Sequence, residues 1–164
     1  MKKLTLLIAM LMASSAWAED MISLEDYIDR HEKLDTNNAL SARLNLYYIY
    51  ARCSAINFKV NALSKNSEKF KDSLAKPSLL EFEKFYVEAG VFLSYINKQA
   101  HEDNKKNLQD TVSGMIDEYT TISNNLYLKT GSYFTEMMEE DLALCNNLSE
   151  LYEEGRLPPA VNSD

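Results

Sequence analysis

Apolar residues recur every three or four positions along four long stretches of the chain, which is the spacing of one face of an α-helix. The first stretch covers roughly residues 38–66 and has its apolar positions at Ala39, Ala42, Leu46, Ile49, Cys53, Ile56, Val60 and Leu63. Its middle, residues 44–51, is apolar or aromatic almost all round. Such a segment is either enclosed by neighbouring helices or uses a second face to bind a partner.

Three further stretches show the same period. A helix is predicted to begin at Pro77, where Ser78 and Glu81 have the spacing of a capping box, and to run to about Ile96. The next has apolar residues at alternating steps of four and three, namely Leu108, Val112, Met115, Tyr119, Ile122 and Leu126. The last, about 132–154, follows Gly131, ends at Gly155 and places inward Phe134, Met138, Leu142, Cys145, Leu148 and Tyr152.

These elements define the expected fold class, all-α. Four long helices of similar length with short connections favour an antiparallel up-down-up-down four-helix bundle, and Ser23 begins a short extra N-terminal helix. Glycine and proline number only four and three, whereas a strand-rich domain needs many turns. We therefore expect one helical-bundle domain over residues 19–156, a loop or frayed turn at 65–76 and a flexible C-terminal tail at 157–164.

The first eighteen residues predict where the protein is located. Lys2 and Lys3 precede an apolar run of about ten residues, and an A-x-A pattern ends at Ala18. This is typical of a bacterial Sec signal peptide, cleaved near Ala18 to give a periplasmic or secreted protein. The run is too short to span a bilayer, which needs about 20 residues, and no later apolar stretch is long enough. An uncleaved anchor is the alternative.

The charge of the chain limits its partners. It has 17 Lys and Arg against 25 Asp and Glu, a formal net charge of −8, and signal cleavage removes two of the lysines. A net charge this negative disfavours nucleic acid and anionic membrane surfaces, where basic side chains must neutralise phosphates. It suits a protein that is simply soluble, or one that binds a basic partner.

The two cysteines predict a structural disulfide. Cys53 and Cys145 lie near the middles of the first and fourth long helices, which are antiparallel neighbours in the expected bundle. Each is on the apolar face of its helix, and the predicted compartment is oxidising. Free buried thiols are the alternative; a redox-active pair is disfavoured because no C-x-x-C motif is present.

The sequence lacks the common motifs for metal or cofactor chemistry. C-x-x-C-H and paired Glu-x-x-His are absent, His31 lies in the short first helix, and His101 lies at a break between helices. Met115 and Met138 are on core faces, where they fill space. In the acidic run at 136–141, Glu136, Glu139 and Glu140 lie on the face opposite Leu142 and Cys145, where an exposed helix normally carries charge. We therefore expect no cofactor, no metal site and no enzymatic activity.

One surface feature remains on the first long helix. Tyr47, Tyr48 and Tyr50 flank its core face, with Arg43 and Arg52 nearby in helical register. Tyr and Arg are the residues that most often anchor protein interfaces, so these five form the candidate partner-binding surface. The simpler interpretation, which we favour, is that the tyrosines pack against adjoining helices with their hydroxyls at the rim.

The sequence thus favours a small secreted or periplasmic non-enzymatic binding or interaction protein, such as an adaptor, inhibitor or chaperone-like bundle. The expected partner is another periplasmic or envelope protein. A carrier of a small ligand or cofactor in the bundle interior is the alternative, and a hydrolase is a more distant third. No prediction of oligomeric state follows.

Overall fold

The computed structural model describes residues 21–32, 39–96 and 101–155. In these ranges the chain forms five α-helices: α1 (Leu24–Glu32), α2 (Ala39–Ser64), α3 (Lys76–Ile96), α4 (His101–Thr130) and α5 (Glu136–Glu153). A π-helical turn, Lys71–Ala75, leads into α3. The described ranges contain no strand, so the prediction of an all-α fold is confirmed. The predicted signal peptide at 1–18 and tail at 157–164 lie outside the described residues.

Helix α2 is at the centre of the fold and contacts each of the other four helices. Every residue from 49 to 57 is buried, on all sides of the helix. Of the aromatic segment 44–51, residues 49–51 are therefore enclosed by neighbouring helices, whereas Leu44 is exposed and residues 45–48 are half-buried. The core extends outward from α2 through buried side chains of the other helices, which include Leu24, Phe85, Ala89, Val112, Tyr119 and Met138.

Helices α2 and α3 form an antiparallel hairpin. The Asn61 side-chain amide donates a 2.7 Å hydrogen bond to the Ala75 carbonyl near the turn, whereas the Tyr50 and Phe92 rings stack 5.4 Å apart much further from it. Helix α4 runs in the same direction as α2, because Tyr47 contacts Thr111 and Arg52 contacts Tyr119. The C-terminal ends of α2 and α4 consequently lie at the same end of the molecule.

The start of α3 differs from the predicted capping box. Ser78 lies inside the helix and is buried, so it is not the N-cap. The Phe70 carbonyl accepts hydrogen bonds from the backbone N–H groups of Leu74 and Ala75, at 2.9 and 3.1 Å, and thereby forms the π-helical turn. Because this turn runs directly into α3, the helix needs no side-chain cap at Ser78. The predicted loop over residues 65–76 is correspondingly shorter than expected.

Two glycines end helices where the sequence predicts. Gly131 follows α4 with φ of 76°, and Gly155 follows α5 with φ of 66°. Other residues rarely adopt this left-handed conformation, so the chain leaves the helix at these points. Helix α5 begins at Glu136, a few residues later than predicted, because the Thr135 hydroxyl caps it by accepting a 3.2 Å bond from the Met138 N–H.

Candidate functional site

The most concentrated polar arrangement in the described residues is a fully buried ion pair between α2 and α5. Arg52 Nη2 lies 2.6 Å from Asp141 Oδ2, and both side chains have no solvent exposure. Arg52 Nε donates a second hydrogen bond to the same oxygen at 3.0 Å. Two donors in a fork on one carboxylate give the pair a defined geometry as well as charge attraction.

Two further helices contribute to this group. The Tyr119 hydroxyl of α4 donates a short hydrogen bond to Asp141 Oδ2, and it accepts one from Arg52 Nε at 3.0 Å. The remaining carboxylate oxygen, Oδ1, accepts a 2.6 Å bond from the Leu24 N–H, the first residue of α1. We call Arg52, Tyr119, Asp141 and the Leu24 N–H the buried network.

The contact with Leu24 explains how the short first helix is held. The first N–H groups of a helix have no partner within it, and its N-terminus carries a partial positive charge. Asp141 supplies a carboxylate to one of these groups from another helix, while Ser23 Oγ accepts a 3.3 Å bond from the Asp26 N–H. Leu24 itself is fully buried, so apolar packing and a charged cap hold α1 at the same point.

The protonation states within the buried network are set by its surroundings. Burial lowers the pKa of the Arg52 guanidinium, but Tyr119, Asp141 and Tyr48 outweigh burial and raise it above its usual value. Burial is also the main reason that the pKa of Tyr119 is raised well above 10. The guanidinium is therefore charged and the phenol neutral near pH 7. The polar groups of the buried network are hydrogen-bonded within the protein, and the side chains of Arg52 and Asp141 have no solvent exposure. The network therefore joins four helices, and its atoms are not accessible to a substrate.

A pH dependence follows from Tyr119. Its unfolded pKa is about 10 and its folded pKa is higher, so the unfolded chain loses the proton first and folding stability falls as pH rises above 10. We expect Tyr119→Phe to reduce this fall by up to about 1.4 kcal/mol per pH unit, the limit for one group. Urea unfolding at pH 9, 10 and 11 measures it. Equal slopes in both proteins would contradict this role for Tyr119.

The disulfide adjoins the buried network. Cys53 and Cys145 are bonded with their Cα atoms 5.5 Å apart, and both are fully buried. Cys53 follows Arg52 in sequence, and Cys145 lies one helical turn after Asp141. The sequence predicts this pairing, and in the structure it joins α2 to α5 beside their ion pair.

Two residues of the predicted partner-binding surface are buried. Arg52 has no exposure and Tyr50 only 5%, so their assignment to an exposed surface is wrong. The Tyr50 ring packs against Phe85 and Phe92 at centroid distances of 5.7 and 5.4 Å. The physical reason is that α3 and α4 cover the second face of α2, which a single amphipathic period cannot reveal.

The other three residues of that surface reach solvent to different extents. Arg43 is exposed, and its guanidinium lies 5.7 Å from the centre of the Tyr95 ring of α3. Tyr47 is half-buried and donates a 3.0 Å hydrogen bond to Thr111 Oγ1. Tyr48 is also half-buried, and its ring stacks on Tyr27 at 4.2 Å. The tyrosines thus pack against neighbouring helices, as the simpler interpretation holds.

Asp141 is the residue that the sequence interpretation missed. It belongs to an acidic run in which Glu136, Glu139 and Glu140 are exposed as expected. The spacing of Asp141 indicates that it faces inward, because it lies three residues after Met138 and four before Cys145, and both of these residues are on the inward face. An acid in that register is either neutralised or bonded to a buried cation.

The other residues considered for cofactor chemistry lie in three different helices. His31 lies in α1 and His101 begins α4, while Met115 and Met138 are buried. In the part of the chain that the structure describes, no group of three or more His, Cys, Asp or Glu side chains is placed to hold a metal ion. Within the same ranges, no helix combines the length and the apolar character that crossing a membrane requires.

Comparisons of the chain with protein-family profiles, with curated proteins and with solved structures find no match.

Proposed function

We propose that this chain is a small, secreted or periplasmic, non-enzymatic interaction protein that binds another envelope protein through its outer surface. Residues 1–18 act as its signal peptide, and residues 19–156 form an up-down-up-down four-helix bundle with a short extra N-terminal helix. The helix directions support the bundle, since α2 runs opposite to α3 and parallel to α4. The buried disulfide supports the compartment, because such bonds persist where the environment is oxidising.

The observation that carries the proposal is an exposed Arg–Tyr pair, in which the arginine is followed in the sequence by an exposed leucine. The Arg43 guanidinium lies over the Tyr95 ring, and Tyr95 and Leu44 are 43% and 45% exposed. Arg and Tyr are among the residue types that most often anchor protein interfaces. We call Arg43, Leu44 and Tyr95, with Tyr47 and Tyr48 at their margin, the Arg43–Tyr95 surface.

The interior of the protein supports the proposal of an interaction protein over that of a carrier of a small ligand. The buried polar groups around Asp141 bond to one another, and the central segment of α2 is enclosed by side chains on all sides. A carrier needs polar groups in its cavity that are free to orient a ligand. The Arg43–Tyr95 surface, in contrast, leaves large side chains in contact with water.

Export and formaldehyde cross-linking in a bacterial host test the proposal. The tagged chain is expressed with its first eighteen residues, the periplasm is isolated, and captured proteins are quantified by mass spectrometry. We expect a mature mass beginning at Glu19 and one protein whose capture falls at least about tenfold in Arg43→Ala/Tyr95→Ala, a loss typical of interface anchors.

The matched control is Lys105→Ala, an exposed basic residue on α4, which should capture as the original chain does. Circular dichroism checks that helical content is equal in all three proteins. A chain that keeps Met1 in the cytosol would overturn the secretion part of the proposal. Identical captured proteins in all three would overturn the assignment of the surface.

A further inference from the structure

The end of the α2–α3 hairpin exposes apolar side chains to water. Phe70, Leu74, Leu79 and Leu80, which surround the π-helical turn, are between 39% and 66% exposed. Phe58 of α2 is also 37% exposed, and its ring contacts the Phe82 ring of α3 edge-on. Single exposed apolar residues are ordinary, but several at one end of a molecule mark a surface that binds something.

The same segment is basic. Residues 65–76 contain four lysines, Lys65, Lys69, Lys71 and Lys76, against Glu68 and Asp72. All four lysines are exposed, and only Lys76 forms an ion pair among the described residues, with Asp72 at 2.5 Å. Helix α5 is the opposite, since residues 136–153 contain six acidic residues and no Lys or Arg. The chain with a net charge of −8 therefore contains a segment with a net positive charge.

The backbone presents these side chains together. The π-helical turn places Phe70 and Leu74 about one turn apart, and the Lys69 ammonium lies 5.0 Å from the centre of the Phe70 ring. π-helical turns are rare and frequently occur at functional sites. We call residues 65–80 the lysine-rich tip.

We propose that the lysine-rich tip binds anionic lipid headgroups and inserts Phe70 and Leu74 into the lipid surface. Phenylalanine and leucine beside lysine are the composition of membrane-surface segments, whereas lysine is depleted at protein interfaces. The turn of a helical hairpin is convex, so it can meet a flat surface. This inference is independent of the Arg43–Tyr95 surface and its partner.

The charge that a lipid surface meets at the tip differs from the net charge of the whole chain. At physiological salt the Debye length is about 8 Å, so a lipid surface in contact with the tip interacts most strongly with charged groups within about that distance. The sequence expectation that a net negative chain avoids anionic membranes treats its charge as evenly spread. The charge is unevenly spread along the sequence, because residues 65–76 contain four lysines against two acids, whereas residues 136–153 contain six acids and no Lys or Arg.

Co-sedimentation with lipid vesicles tests the proposal. Vesicles of phosphatidylcholine with about one-third phosphatidylglycerol are compared with vesicles of phosphatidylcholine alone, at low and high salt. We expect the mature chain to bind only the anionic vesicles, with affinity at least about tenfold weaker at high salt because the ion atmosphere screens the lysines.

Two pairs of variants locate the binding. Each lysine near an anionic surface strengthens binding by about fivefold, so Lys69→Gln/Lys71→Gln should bind about 25-fold more weakly. Its matched control is Lys105→Gln/Lys106→Gln, an exposed lysine pair on α4, which should bind as the original chain does. Phe70→Ser/Leu74→Ser should lose vesicle binding, whereas Leu128→Ser, at an 83% exposed apolar site on α4, should keep it.

All these positions are exposed, so the variants should fold, and circular dichroism verifies this. The proposal is overturned if anionic vesicles do not bind at low salt, if neutral vesicles bind equally well, or if the tip variants bind like their controls. The proposal is also overturned if neither the original chain nor any variant binds vesicles and the tip variants instead fail to capture an acidic periplasmic protein that the original chain captures.

Discussion

Asp141→Ala is expected to destabilise the folded chain by about 3 to 5 kcal/mol, which is typical when one member of a buried ion pair is removed. The substitution leaves the Arg52 guanidinium fully buried without its carboxylate, and it leaves the Leu24 N–H without an acceptor. Both losses act together, because an unpaired buried charge and an unpaired buried donor each oppose folding. Since domains of this size are stable by only about 5 to 15 kcal/mol, the effect is a large fraction of the whole.

Urea unfolding followed by circular dichroism measures this change, with Glu140→Ala as the matched control. Glu140 is the adjacent acid in the sequence and is exposed, so its removal should change stability by no more than about 0.5 kcal/mol. Arg52→Leu/Asp141→Leu should regain much of the loss, because apolar replacement of both partners is often neutral. If Asp141→Ala matches Glu140→Ala, the buried network does not stabilise the fold.

Removing the disulfide is expected to lower the free energy of unfolding by about 4 to 5 kcal/mol. The bond joins positions separated by 92 residues, and the chain-entropy model gives this value for a loop of that size. The reduced chain gains conformational freedom in its unfolded state, while the two small side chains remain buried in the folded state. Urea midpoints of the original chain with and without reductant measure the difference.

Cys53→Ala/Cys145→Ala is the control, because reductant should not shift its midpoint. Alkylation of the denatured original chain should add nothing before reduction and two adducts after it. Two adducts without reduction would show that the thiols are free. When the disulfide of Asp141→Ala is reduced, the losses of stability from the ion pair and from the disulfide should add up to about the whole stability of such a domain. We therefore expect that protein to be unfolded without denaturant.

The helices could be predicted because their period is local. The apolar spacing of α2 and the glycines after α4 and α5 are features of short stretches of sequence, and the structure has the helix and the helix ends that they predict. The π-helical turn could not be predicted in this way. It depends on the Phe70 carbonyl accepting from two successive N–H groups, which leaves no recognisable pattern of apolar positions.

The candidate site was predictable only where register and chemistry agree. Cys53 and Cys145 each lie on an inward face, so their proximity follows once the helices are taken as neighbours. Arg52 looked like a surface residue because the spacing of one helix does not show how many others pack on it. No role was predicted for Asp141, which lies next to exposed glutamates in the sequence. A buried ion pair is visible only when both helices are in place.

The α2–α3 hairpin also sets a distance. Arg43 lies near the start of α2 and the lysine-rich tip follows its end, and at 1.5 Å per residue the helix between them spans roughly 30 Å. This is several times the screening length of about 8 Å at physiological salt. A protein bound to the Arg43–Tyr95 surface would therefore lie beyond the range of the electric field of a lipid surface bound at the tip. The hairpin would act as a rigid spacer whose two ends bind without influencing each other, at a height fixed by the number of helical turns.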